Sequence, residues 1–361
     1  MSRVGFLLTL PLVLATAAGA QDTIRLSNGK TVENVRVTSY DLHELNYKKG
    51  ARTKTIPRDQ ILDVTLGQAG YLNRIRKAKD AEVEEDYATA VDEYLNAGDK
   101  LLKHKTLSKF APQFAFWSAY LIARDQGFDW SQILQLFQEL QQKVPETAFV
   151  PDIWRLRIRK AWYAGTDKAA LENAKRGIQA FRKDCEAKGL SNRFKYEAEL
   201  LLILARMRLK DRQMGPDKAQ SEFAKLEAKC EGLYPDLLNR LKLESARTTL
   251  LSGKTRQARE LFQLIIDSGS ADDETLAGAY LGRGHCSWRK PGRTPEDMRQ
   301  SLLDYMRVSI LFPDVDHETV GEALYHALQA YSKWSPNATT ETRRIYTKLR
   351  TKYRDSSWAS K

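Results

Sequence analysis

The 361-residue chain is 42% hydrophobic, 29% charged and 9% aromatic, which excludes collagen-like, mucin-like and wholly disordered proteins and leaves a folded protein of two or three units. Lysine and arginine number 58 against 46 acidic residues, a formal balance of +12 that raises the question of a polyanionic partner. Three cysteines, Cys185, Cys230 and Cys286, are too few, and odd in number, for a disulfide framework. A single bridge between Cys185 and Cys230 and a set of small buried thiols both fit that spacing.

Residues 1–20 have the form of a secretory signal. Arg3 supplies the positive charge, residues 6–14 form a short apolar run, and Ala18-Gly19-Ala20 offers an A-x-A cleavage site, so the mature chain is expected to begin at Gln21. A lone arginine without a basic amphipathic face does not suit a mitochondrial presequence. The expected cleavage point carries no cysteine for a lipid anchor, and no later apolar stretch approaches the roughly 18 residues of a spanning helix. A soluble protein of the periplasm or cell envelope is the expectation.

Residues 22–66 alternate with period two. Thr23, Ile24, Arg25 and Leu26 lead into an Asn28-Gly29 turn, followed by Val32, Val35 and Val37 among polar residues, which is hairpin patterning. Residues 42–47, 53–56 and 61–64 supply three more short segments, divided by Lys49-Gly50 and Pro57-Arg58-Asp59. Strands so short bury an apolar face by curling the sheet on itself. The stretch resembles Sm-like and SH3-like barrels through the Asn28-Gly29 turn and the corner from Ile56-Pro57 to Ile61, so a small five-stranded β-barrel is expected at residues 22–66.

From residue 67 onward the apolar residues recur at helical spacing. Gly215-Pro216, Gly253 before Thr255, and Thr294-Pro295-Glu296-Asp297 mark helix boundaries, threonine serving as cap and proline as first helical residue. A repeat runs through the pattern. Ala246 and Ala258 are followed by Phe262 and Ile265; Ala78 and Ala90 are followed by Tyr94 and Ala97 at the same offsets; Ser301, Tyr305, Val308 and Pro313 continue the series. Tyr346, Leu349, Tyr353, Ser356 and Trp358 echo it at the C-terminus. This small-then-aromatic spacing resembles the tetratricopeptide repeat, and the final echo resembles the last repeat of bacterial envelope proteins of that family.

The resemblance implies a mainly α, right-handed solenoid of about seven helical hairpins over residues 67–361. Second helices are expected near Asp86, Trp130, Asp167, Pro216, Thr255, Pro295 and Thr340, recurring about every 40 residues against about 34 in the standard repeat. Asn192-Arg193 with Lys195 against Asn239-Arg240 with Lys242 suggests a longer period, which keeps a HEAT-like solenoid as the rival.

Catalytic motifs are sparse. The five histidines show no His-x3-His or Cys-x2-Cys pairing, there is no glycine-rich phosphate loop, and no G-x-S-x-G elbow. Glu322 and His326 stand four apart on one helix, one side of an ion site at most, so no metal and no cofactor is assigned. His285 and Cys286, adjacent on a helix, point about 100° apart and do not form a thiol–base pair. Basic residues are interspersed with acids and form no phosphate stripe, which with export argues against nucleic acid.

In tetratricopeptide solenoids the first helix of each hairpin lines a concave surface. Carried onto this chain, the resemblance gives Trp162, Arg206, Arg247 and His285 as inward-facing residues, with Arg240 one face along. Such a column suits an extended acidic peptide or a carboxylate terminus, which arginine binds in two-pronged fashion; the plainer alternative is a core tryptophan with ordinary solvated arginines. The expected function is an exported, non-catalytic scaffold or adaptor that binds other proteins. A polyanion- or cell-wall-polymer-binding protein is the alternative, and a hydrolase assembled from distant hairpins is the second.

Overall fold

The computed structural model describes residues 21–126, 128–163, 168–354 and 356–361. The expected signal segment, residues 1–20, lies outside them, as does Asp167. Five strands come first: β1 (Asp22–Leu26), β2 (Thr31–Tyr40), β3 (Glu44–Lys49), β4 (Arg52–Pro57) and β5 (Ile61–Thr65). They form one antiparallel sheet in the order β4-β3-β2-β1-β5. Asn28-Gly29 makes the first turn, with Gly29 at φ +80°, and Gly50 at φ +61° makes the β3–β4 turn, both in the left-handed region that suits glycine.

The long strand β2 pairs through Val32 and Val35 with β1 and through Arg36 to Tyr40 with β3, with register shifts in both ladders. Such bulges bend a sheet, and this one curls around Ile24, Val35, Val37 and Leu45. Strands β4 and β5 are its two edges. The barrel closure implied by the resemblance would need those edges paired, and no such pairing is present among the described residues.

Fourteen helices follow among the described residues: α1 (Ala69–Val83), α2 (Tyr87–Leu102), α3 (Ala111–Asp125), α4 (Trp130–Lys143), α5 (Val150–Tyr163), α6 (Lys168–Ala187), α7 (Asn192–Arg208), α8 (Pro216–Cys230), α9 (Pro235–Leu251), α10 (Thr255–Asp267), α11 (Asp273–Arg289), α12 (Pro295–Leu311), α13 (His317–Trp334) and α14 (Thr339–Lys352). Apart from α4 and α5, each packs on its neighbours in sequence, as a stack of hairpins does. The thinnest joint is between α4 and α5. There the connecting segment does the holding, Gln113 of α3 accepting from Thr147 Oγ1 and the Ala148 amide and donating to the Tyr40 carbonyl.

The second helices begin where the turn residues put them: Asp86 caps α2, Pro216 opens α8, and Thr294 with Asp297 forms a capping box at α12. The repeat is close packing of small against large. Ala78, Ala90, Ala246, Ala258 and Ser301 are fully buried beside buried Tyr94, Phe262 and Tyr305. A Cβ added at Gly282 would stand 2.3 Å from the Phe262 ring, and one at Gly284 would stand 2.6 Å from Tyr305. The same aromatic position recurs in the central hairpins as Phe137, Phe181 and Phe223. By contrast, Asn192 opens α7 whereas Asn239 lies a turn inside α9, so the apparent 47-residue duplication is out of register.

The core divides accordingly into clusters along the chain. The first joins the sheet to α1–α4 and the start of α5, and the others lie mainly between successive hairpins. Sheet and helices are also tied by polar groups. Buried Asp22 accepts from the amides of Val37 and Gly67 and from Gln68 Nε2. Buried Arg58 donates to the carbonyls of Ala148 and Ile61 and to Asp152. Cys185, Cys230 and Cys286 are all free buried thiols, so the Cys185–Cys230 bridge is absent. No helix among the described residues is long and apolar enough to cross a membrane.

Candidate functional site

Contacts of α9 with both α7 and α11, and of α11 with α13, set the first helices of successive hairpins side by side. The polar side chains they share form a continuous network. Asp152 of α5 accepts from Arg58 at 2.7 Å and from Arg155 at 2.6 Å. Arg155 grips both oxygens of Glu197 on α7, at 2.7 and 2.6 Å. Arg193 and Arg240 add donors to the same carboxylate at 3.1 and 3.0 Å, and Arg193 also pairs with Asp236 of α9. Burial alone would raise the Glu197 carboxyl; the surrounding guanidiniums outweigh it and hold the group far below the usual carboxylate range.

The face is also bridged across non-adjacent hairpins. Arg159 of α5 donates to Glu274 of α11 at 2.7 Å and lies 3.5 Å from Asp316, the residue before α13. Arg159 and, further off, Arg240 hold the Glu274 carboxyl below its usual range. The first helices of the third, sixth and seventh hairpins therefore share one charged face.

The five expected inward residues are placed differently from one another. Trp162 is 9% exposed within the α5–α7 core cluster, with the Arg208 guanidinium 4.3 Å from its ring centre. Arg206 pairs with Asp211 at 2.7 Å. Arg247 pairs with Glu244 at 2.6 Å and lies across α11 where a Cβ at Gly278 would stand 2.9 Å from its Nη2. Arg240 belongs to the Glu197 network. His285 has a separate environment on α11.

There the structure joins what the spacing could not. His285 Nε2 lies 3.2 Å from Glu322 Oε1, and its Nδ1 lies 3.0 Å from the Tyr305 hydroxyl. His326, one turn beyond Glu322 on α13, stacks edge-on against His285 with ring centres 4.8 Å apart. One ligand atom from each of His285, Glu322 and His326 lies within 4.8 Å of the others. Burial and the neighbouring His285 push His326 down to about 4, so its imidazole is neutral at physiological pH. Burial raises Glu322, but its hydrogen bond to His285 and the charges around it outweigh that and hold it low, so its carboxylate stays ionised. Spacing alone pairs Glu322 with His326 and leaves His285 among the groove residues; the relation it lacks is the contact of α11 with α13 across an intervening helix.

No protein-family model matches the chain, and no curated protein matches it. Among solved structures it is similar to a protein of Podosopora anserina described as a kinesin light chain with nearly identical TPR-like repeats, at 13% identity and a TM-score of 0.35, covering 57% of this chain and 96% of that one. A TM-score that low carries no weight here, so the repeat architecture rests on the helix stacking itself.

Proposed function

We propose that the chain is a non-catalytic scaffold of the cell envelope, exported by its first twenty residues, that holds an acidic protein segment against the first helices of its hairpins. The observation that supports it is how the arginines on this face are partnered. The Glu197 carboxylate is buried and gripped by Arg155, Arg193 and Arg240, which makes it a rigid floor. Arg206 and Arg247 instead rest on Asp211 and Glu244, neighbours in their own chain region, in partly exposed pairs. Such pairs are worth only about 0–1 kcal/mol, so a carboxylate arriving on a partner displaces them at little cost. The net charge of +12 favours the approach of that partner.

The test is affinity capture from an envelope extract with residues 21–361 as bait, beside an Arg206→Glu, Arg247→Glu variant. Loss of the same partners from the variant supports the groove; equal retention on both baits removes it. The net charge also leaves a second reading, a binder of cell-wall polyanion. That reading requires capture of polymer instead of protein, weakening steeply with salt.

A further inference from the structure

We propose that His285, Glu322 and His326 bind one divalent transition-metal ion of the zinc type between α11 and α13. This goes beyond the scaffold reading and does not depend on it. An ion with metal–nitrogen and metal–oxygen bonds of about 2.0–2.1 Å needs ligand atoms roughly 3.0–3.4 Å apart at octahedral to tetrahedral angles. His285 Nε2 and Glu322 Oε1 already meet that spacing at 3.2 Å. The three ligand atoms all lie within 4.8 Å of one another.

A second layer of groups orients the ligands. The Tyr305 hydroxyl lies against His285 Nδ1, and Gln329 Oε1 lies 3.3 Å from His326 Nδ1. When an ion takes the place of the Nε2–H that His285 shares with Glu322, Nδ1–H donated to those oxygens leaves the Nε2 lone pair of each imidazole for the metal, the arrangement by which proteins fix ligand histidines. Tyr305 is itself locked, fully buried against Gly284. The donor set decides the class of ion. Two imidazoles and one carboxylate suit zinc, cobalt, nickel or ferrous iron and not magnesium or calcium, which want oxygen. Three protein ligands leave at least one coordination position for water or for a side chain from a partner.

The experiment titrates the chelator-treated protein, residues 21–361, with Zn2+ by calorimetry and with Co2+ by visible absorption. A single saturable step at one ion per chain is expected, with cobalt bands characteristic of mixed nitrogen and oxygen ligation. Glu322→Gln and His326→Gln should each weaken binding at least about 100-fold, and Gln329→Ala about 10-fold through loss of orientation. Metal-free melting curves of the variants, unchanged from the parent, separate lost ligation from lost fold; should either ligand variant unfold, Gln329→Ala carries the test. Absence of saturable binding up to millimolar Zn2+, or parental affinity in all three variants, overturns the proposal.

Discussion

Replacing Glu197 by alanine should cost more stability than any other single truncation on the inner face. The carboxylate is 1% exposed and accepts four hydrogen bonds, two from Arg155 and one each from Arg193 and Arg240. Removing one partner of a buried ionic group costs about 3–5 kcal/mol, because the remaining charges stay desolvated. Here Arg155 and Arg240 are partly exposed and recover water, while Arg193 keeps Asp236, so the low end, about 3 kcal/mol, applies. In a solenoid each hairpin leans only on its neighbours. The loss should therefore concentrate in α5, α7 and α9 and appear as a drop of roughly 100-fold in their amide-exchange protection.

The pH dependence has a definite sign. The folded carboxyl is held far below its unfolded value of about 4.3, so its contribution is full above that pH and declines as the pH falls below it. The gap between parent and Glu197→Ala in urea unfolding should be constant from neutral pH down to about 5 and shrink below about 4. A variant within about 0.5 kcal/mol of the parent at pH 7, with unchanged exchange in α5–α9, would refute the reasoning.

Three further outcomes are expected. Gly282→Ala should destabilise by about 1–3 kcal/mol, since its Cβ would meet the fully buried Phe262 ring at 2.3 Å; a melting point equal to the parent's would show that the helices separate freely there. Arg58→Met removes the donors to Ala148, Ile61 and Asp152 and should cost about 3 kcal/mol, releasing the sheet first, so that limited proteolysis cuts near residues 57–60 at concentrations the parent resists. Burial pushes the thiols of Cys185 and Cys286 up to about 12 and that of Cys230 up to about 11, so none should react with a thiol reagent at pH 8 until denaturant is added. Rapid labelling of the native protein would contradict their burial.

The helical hairpins were legible because they are local. Alanine and serine at one offset, tyrosine and phenylalanine four residues on, and threonine or proline at the helix start are short-range signals, and the structure buries the residues they pick out. The second hairpin reads weakly for a physical reason. In α4 the position before Phe137 is Ile133, a bulky residue where α8 has Ala219, so the small half of the pattern is lost while the aromatic half survives. The sheet was legible as strands and turns, but its closure depends on whether β4 meets β5, and no spacing rule decides that.

By itself the sequence determined the fold class and the turn positions, since both depend on neighbours within a few residues. Only the tertiary structure decided which charges meet. Arg155 and Glu197 pair across hairpins, and Arg159 reaches Glu274 over more than a hundred residues. His285 joins Glu322 and His326 because α12 packs between α11 and α13 in sequence while the two first helices touch in space. Such pairings follow from the small rotation between one hairpin and the next, which accumulates along the stack and is set by the sum of many side-chain volumes.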